Sequence, residues 1–302
     1  MKLCDISVII PHYNSLDSLK RLFNTIPNSK NIEVLLVDNS CNPISKDMVG
    51  VSRNYKLLHS PNSRFAGGAR NVGIDAAQGK WLIFADADDF FTPEAFDVFS
   101  SYINSENDLI YFKVKSVYDD TLLPSSRGDM WNKVIDDFNN KVSDEISTRL
   151  SYVVPWGKMI RRDFVVSNDI RFDEVVAAND VMFSTKCGLY ANLFKVDHRE
   201  VYVVTTRAGS LANRRDFDVI KSRYLVALQR NKFLREKGYK NKQGSVMIYL
   251  YLALKFGPKS FLSFCELAIK YRQNPFIGYR HWFKTFISTR KESKINKKYI
   301  TH

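Results

Sequence analysis

Three carboxylates close an apolar run in Lys80-Trp81-Leu82-Ile83-Phe84-Ala85-Asp86-Ala87-Asp88-Asp89. The run is short, carries an aromatic at each end and follows Gly79, a pattern that reads as a buried strand rather than a helix. The acids then stand at the C-terminal tip of a strand, where open α/β sheets bind ligands. Successive side chains of an extended segment alternate, so Asp86 and Asp88 point the same way. Two carboxylates on one side can share a hard divalent cation, Mg²⁺ or Mn²⁺, with the phosphates of a substrate. Asp88 and Asp89 equally suit a turn and a cap for a helix opening at Pro93-Glu94. The triplet alone does not choose between the two.

Other strand ends add to it. Ile6-Ser7-Val8-Ile9-Ile10 is β-branched and stops at Pro11-His12-Tyr13-Asn14, and Ile32-Glu33-Val34-Leu35-Leu36-Val37 stops at Asp38-Asn39-Ser40. An aromatic ring beside a carboxylate suits a nucleoside, the ring stacking on the base while the acid accepts from an imide N–H or ribose hydroxyls. In Arg64-Phe65-Ala66-Gly67-Gly68-Ala69-Arg70-Asn71, the two glycines permit close backbone approach and open a helix, and Arg70 can bind an oxyanion with two donors. A glycine turn into an amphipathic helix with a surface arginine reads equally well. His12 receives no chemical role, since a lone histidine at a strand end is more often a hydrogen-bonded packing residue. Neither Gly-x-Gly-x-x-Gly nor Gly-x-x-x-x-Gly-Lys-[Ser/Thr] occurs in this half, which lowers the dinucleotide and P-loop readings.

The elements that must position these residues alternate. After the first strand, residues 15–26 carry Leu16, Leu19, Leu22, Phe23 and Ile26 at helical spacing; residues 55–59 form a third strand, residues 67–78 a helix rich in small residues, and residues 109–112 a further strand. Strand and helix in alternation predict a mostly parallel sheet with helices on both faces. Residues 116–150 are polar and irregular, as in a lid over a substrate or a disordered surface insertion. Two closing strands follow at 194–197 and 201–204, then helices at 216–237, 244–256, 258–271 and 275–288.

Taken together, Ser7-Val8-Ile9-Ile10-Pro11-His12-Tyr13-Asn14, Leu36-Val37-Asp38, Gly68-Ala69-Arg70-Asn71-x-Gly73-x-x-x-Ala77-x-Gly79 and Phe84-x-Asp86-Ala87-Asp88-Asp89 resemble, in order and approximate spacing, the family 2 inverting glycosyltransferases of bacterial surface-polysaccharide type. The close match covers roughly residues 5–115. The resemblance implies a GT-A fold, α/β and Rossmann-like with a mixed, mostly parallel sheet, over 1–205, followed by a basic amphipathic helical region over 206–302. Within the first domain the nucleotide-sugar half would span about 1–115 and the acceptor half about 150–205. It implies Pro11, Tyr13 and Asp38 around the nucleotide base, Arg70 near the nucleotide-sugar, Asp86 near the ribose and donor, and Asp88 on a metal, Mg²⁺ or Mn²⁺, that bridges the diphosphate. In the acceptor half, Trp156-Gly157-Lys158 is similar to the family's Trp-x-Lys segment, making Trp156 and Lys158 acceptor-side candidates, although Trp156 suits a core equally. Asn179-Asp180 stands where the family carries Glu-Asp, whose Asp is the catalytic base. The implied activity is metal-dependent transfer of a hexose-type sugar from a UDP-sugar to a hydroxyl of a glycan acceptor, with a lipid-linked oligosaccharide as the acceptor. Inverting transfer is an in-line displacement, so a single carboxylate suffices to take the proton of the attacking hydroxyl. At the head of Val181-Met182-Phe183, Asp180 would have its ionised form favoured by the helix N-terminus; an ordinary helix cap is the plainer alternative.

Charge is unevenly divided. Residues 201–302 hold 22 Lys and Arg against 5 Asp and Glu, a balance of +17, while the first 200 residues balance at −4. With aromatics interleaved among the cations, as in Tyr279-Arg280-His281-Trp282-Phe283-Lys284, such helices suit an anionic membrane surface, or form a bundle with a solvated basic face. No stretch there is long and uncharged enough to span a bilayer. Nucleic acid is not expected as a partner, because no aromatic-basic recognition module is visible. The four scattered cysteines indicate neither a zinc site nor a disulfide framework, and the N-terminus enters a strand with no signal-peptide core, so the expected location is cytoplasmic, peripheral on the inner face of the membrane. Two rivals stand. A sugar nucleotidyltransferase needs a Gly-rich, basic loop after the first strand, which Pro11-His12-Tyr13-Asn14 is not. A non-catalytic glycan- or membrane-binding protein draws support from Asn179 and is opposed by the intact Asp86, Asp88 and Asp180.

Overall fold

A computed structural model of the chain describes residues 4–277 apart from 52 and 208. The chain divides into two compact units, Met1–Arg214 and Arg215–His302.

Elements of the first unit run β1 (Ile6–His12), α1 (Leu16–Asn24), β2 (Ile32–Asp38), α2 (Lys46–Val49), β3 (Lys56–His59), α3 (Phe65–Ala76), β4 (Trp81–Phe84), β5 (Phe90–Phe91) and α4 (Ala95–Ser100). There follow β6 (Leu109–Tyr118), α5 (Asp129–Asn139), α6 (Glu145–Ser151), β7 (Lys158–Arg161), α7 (Arg162–Ser167), α8 (Val181–Tyr190) and β8 (Phe194–Thr206). Among the described residues they build one eight-stranded sheet of order β3-β2-β1-β4-β7-β6-β8-β5. Strands β3, β2, β1 and β4 are parallel, β7 enters antiparallel beside β4 and β6, and β8 runs parallel to β6.

The two-residue period of the strands divides the core. Ile6, Val8, Ile10, Trp81, Ile83, Ile110 and Phe112 face one layer with Leu19 and Leu22 of α1 and Phe99 of α4. Ile9, Leu82, Phe84, Leu109 and Tyr111 face the other, with Ile74 of α3, Val165 of α7 and Phe183 of α8. Burial on both faces explains why β4 is a continuous apolar run and why β1 is apolar apart from Ser7 and its terminal His12. Helix α3 lies close on β1 because Gly73 has no side chain: a Cβ there would come within 2.4 Å of Ile9 Cγ2.

Two expectations change. Residues 116–150 are not an irregular insertion; β6 continues to Tyr118, and α5 and α6 bury Ile135 and Leu150. The two closing strands are one, β8, whose polar middle, His198-Arg199-Glu200, accompanies register shifts against β6 at Phe112–Val114.

The second unit contains α9 (Phe217–Glu236), α10 (Met247–Leu254) and α11 (Pro258–Lys270) around a core of Ile220, Tyr224, Leu228, Val246 and Phe264. From residue 278 on, the helix expected at 275–288 lies outside the described residues.

Candidate active site

The parallel register delivers His12, Asp38 and His59 side by side at one sheet edge, and β4 delivers the acids next to them. Asp38 is fully buried. Its Oδ1 accepts from His12 Nδ1 at 2.9 Å and from Ser40 Oγ at 2.7 Å, and its Oδ2 accepts from the Ile44 N–H at 3.0 Å. Burial would raise its pKa, but the hydrogen bonds from His12, Ser40 and the Ile44 N–H outweigh it and hold the carboxyl below its usual range. Asp38 therefore shapes the 39–44 loop, and the groups it leaves beside it are Asn39 Oδ1 and Ser60 Oγ, both buried without a hydrogen-bond partner. His12 is the packing residue expected, its Nε2 accepting from the Ser15 N–H at 3.1 Å. Pro11 is buried within β1, whereas Tyr13 is 52% exposed at the mouth of this edge.

The acidic loop is fixed largely from β8. The Asp86 N–H donates to Tyr202 Oη at 2.8 Å, the Thr205 N–H donates to Asp89 Oδ1 at 2.7 Å, and Thr205 Oγ1 donates to the Asp88 carbonyl at 3.0 Å. Arg21 of α1 adds a donor to the same carbonyl at 2.7 Å. Asp89 is thus buried inside the loop, leaving Asp86 and Asp88 as its partly exposed carboxylates. Burial and the neighbouring Asp86 charge raise the Asp88 pKa, opposed by Arg207, whose Nη2 lies 3.3 Å from Asp88 Oδ2. Burial and the charges of Asp88 and Asp86 push Asp89 well above the carboxylate range. Among the described residues no group of three or more His, Cys, Asp or Glu is arranged to hold a metal. Asp86 and Asp88 nonetheless fit a cation of the Mg²⁺ type, which takes one or two carboxylates and completes its shell from phosphates and water.

Arg70 joins this loop to the second half of the domain. It is buried, its Nη2 donates to Asp86 Oδ1 at 2.5 Å, its Nη1 donates to Asn179 Oδ1 at 2.8 Å, and its guanidinium lies 5.3 Å from the centroid of Phe172. Phe172 stacks on Phe183 at 3.8 Å, and Phe84 meets both edge-on, so the guanidinium rests on a rigid aromatic floor. The 172–180 segment is held in two further ways: Asn71 of α3 exchanges hydrogen bonds with the Phe172 backbone at 2.9 and 3.0 Å, and Arg64, just before α3, pairs with Glu174. Ala178, at φ 63, turns the chain so that Asp180 heads α8. Asp180 makes no side-chain cap hydrogen bond to that helix. Burial and the Asp86 charge raise its pKa, while the charges of Arg70 and Lys158 lower it.

Trp156 and Lys158 are not available to an acceptor, because both are buried. Trp156 stacks against Tyr202 at 5.8 Å and so backs the hydroxyl that accepts from the Asp86 N–H. Lys158 Nζ donates to the Tyr152 carbonyl at 2.6 Å and to Ser184 Oγ at 3.0 Å, beneath the first turns of α8. Its burial lowers the ammonium pKa to about 7. Sequence reasoning missed Asn39, Ser60 and Arg207; the last sits 119 positions from Asp88 in a Thr-Thr-Arg strand end that carries no local signal.

The fold is that of a glycosyltransferase of GT-A type, and comparison bears this out. Residues 7–166 match glycosyl transferase family 2, more than half of the chain, and the chain belongs to that family. It is similar to the poly(ribitol-phosphate) beta-N-acetylglucosaminyltransferase TarS of Staphylococcus aureus, 28% identical over 217 residues, which cover 67% of this chain but only 36% of that protein. The cholesterol galactosyltransferase of Borreliella burgdorferi is 24% identical over 306 residues, 96% of this chain and 83% of that one. The crystal structure of S. aureus TarS 1–349 in complex with UDP-GlcNAc superposes with a TM-score of 0.58 at 25% identity, over 79% of this chain and 72% of that one.

Proposed function

We propose that the protein transfers a hexose-type sugar from a UDP-sugar to a hydroxyl of a glycan acceptor with inversion at the anomeric carbon. The observation that carries this reading is the bridge made by Arg70, which gathers Asp86, and with it Asp88, to the same guanidinium as Asn179 beside Asp180. In this reading the exposed ring of Tyr13 stacks on the base, and Asn39 Oδ1 and Ser60 Oγ, kept at the edge by the Asp38 network, accept from its polar rim. Pro11 fixes the strand end from which Tyr13 projects. Arg70 and Arg207 face the anionic donor, and Asp86 reaches the ribose. Asp88, with Asp86, would hold Mg²⁺ or Mn²⁺, which when bound offsets the charge of a diphosphate leaving group.

Asp180 takes the proton of the attacking acceptor hydroxyl. A carboxylate released from helix capping and raised in pKa by burial is a stronger base than an exposed one. The neighbouring Arg70 charge opposes that rise. That TarS is named for transferring N-acetylglucosamine to poly(ribitol-phosphate) and was crystallised with UDP-GlcNAc supports a UDP-sugar and a polymeric, surface-glycan acceptor here. The galactosyltransferase relative, named for cholesterol, supports an acceptor carried on a lipid; we place that acceptor at the cytoplasmic face of a membrane.

Calorimetric titration with UDP, with and without Mn²⁺, tests the donor side. The expected result is binding at least about tenfold tighter with the metal; binding indifferent to it removes the role given to Asp88.

A further inference from the structure

The second unit carries a feature that catalysis leaves unused. Helix α10 reads Met-Ile-Tyr-Leu-Tyr-Leu-Ala-Leu, without a charged or amide side chain at any of its eight positions. One side faces the unit's own core: Ala253 is buried, and Tyr249, Leu250 and Leu252 pack against it. On the opposite side Ile248, Tyr251 and Leu254, spaced three apart, are 36%, 39% and 53% exposed. At 100° per residue they span an arc of about 120°, a face that a helix of a water-facing bundle fills with polar residues. The apolar exposure continues at Phe256, and on α11 at Leu262 and Ile269, which are 59% and 76% exposed and lie seven positions, two turns, apart. Scattered apolar residues need no account, but several outward apolar positions on two consecutive helices do.

We propose that the outward faces of α10 and α11 are a lipid-binding surface that seats the C-terminal unit on an anionic bilayer. Charge selects the occupant. Between residues 237 and 277 the chain carries seven Lys and Arg against one acid, Glu266. A second copy laid on the same face by twofold symmetry would bring this excess against itself, whereas acidic headgroups complement it. Lys255, just past the C-terminal end of α10, has the arrangement of a side chain at a lipid interface, its ammonium 5.6 Å from the centroid of the Tyr251 ring. No described helix is long and apolar enough to cross a membrane, so the mode is seating in the interface. The inference deepens the reading of a lipid-carried acceptor, yet it stands on the second unit alone.

The test is co-sedimentation of the full chain with vesicles of phosphatidylcholine, alone or with about one third phosphatidylglycerol. The expected result is association at least about tenfold stronger with the anionic vesicles. It falls about tenfold in Ile248→Gln/Leu254→Gln and, independently, in Ile269→Gln, with helical circular dichroism and UDP affinity unchanged. Lys255→Glu/Lys259→Glu, which leaves the apolar residues in place, also weakens it. The proposal is overturned if the wild-type chain ignores anionic vesicles, or if the glutamine variants bind them undiminished. It is equally overturned if light scattering shows a dimer that Ile248→Gln/Leu254→Gln dissociates without loss of vesicle binding, which makes the face a contact between copies. A chain that binds vesicles but not UDP refutes the UDP-sugar reading and leaves this one standing; the reverse outcome does the opposite.

Discussion

Asp180 is half-buried and Lys158 fully buried, and their partners separate a chemical role from a structural one. With no cap bond to make, Asp180 is available to a substrate proton. Asp180→Asn is expected to lower turnover about 100-fold or more while leaving UDP affinity within about twofold, as measured by initial rates and calorimetry. Because burial raises its pKa and the Arg70 charge lowers it, the acid limb of the pH–rate profile should lie above the ordinary carboxylate value of 3.8. Removal of that charge in Arg70→Met should move the limb further up. A base is active only when ionised, so activity is lost as pH falls through its pKa; a limb that stays in place in Arg70→Met excludes Asp180. Lys158 gives the opposite signature, in stability. Its folded-state pKa of about 7 lies below the unfolded value near 10.5, so the unfolded chain binds more protons between those values. Stability should therefore rise with pH across that window. Denaturant unfolding at about pH 7 and pH 9.5 should show the rise in the wild type and a flatter response in Lys158→Met.

Helix α3 is the element on which the site depends, since Arg70 and Asn71 reach the 172–180 segment from it and Arg64 does so from the residue that precedes it. That closeness requires Gly67, where a Cβ would stand 2.0 Å from the Asp173 carbonyl oxygen. Gly67→Ala is expected to cost about 1–3 kcal/mol in a denaturation midpoint and at least about tenfold in turnover. An alanine variant with wild-type turnover would show that the segment tolerates displacement. The strands that carry the site were legible because the signal is local: β1, β2 and β4 are mostly apolar and lead into Pro11, Asp38 and Asp86. Helices α5 and α6 were not, since few of their residues are buried and they take their order from packing on β6 and α8. The unity of β8 was hidden by its polar middle, where the register against β6 shifts. Trp156 and Lys158 were located in sequence, yet their burial was not legible. A lysine enters a core only where distant groups, here Tyr152 and Ser184, supply acceptors. Arg207 meets Asp88 through a pairing between distant segments that no spacing records.

At the scale of the whole chain, the net charge of +13 resides in the C-terminal third, while the part holding the donor edge is slightly acidic. Donor binding and surface attachment should then answer differently to salt. Cations facing a diphosphate act at contact distance within a partly buried edge, where screening is weak, whereas a solvated basic face acts on lipid headgroups over lengths comparable with the Debye length. Raising ionic strength from about 0.05 M to 0.5 M is expected to reduce association with anionic vesicles by about tenfold or more and to change the UDP Kd by less than about threefold. Sedimentation and calorimetry on the same preparation measure both. If UDP binding weakened in step with vesicle binding, the donor would be held by general positive potential rather than by Arg70 and Arg207, and the assignment of those two residues would fail.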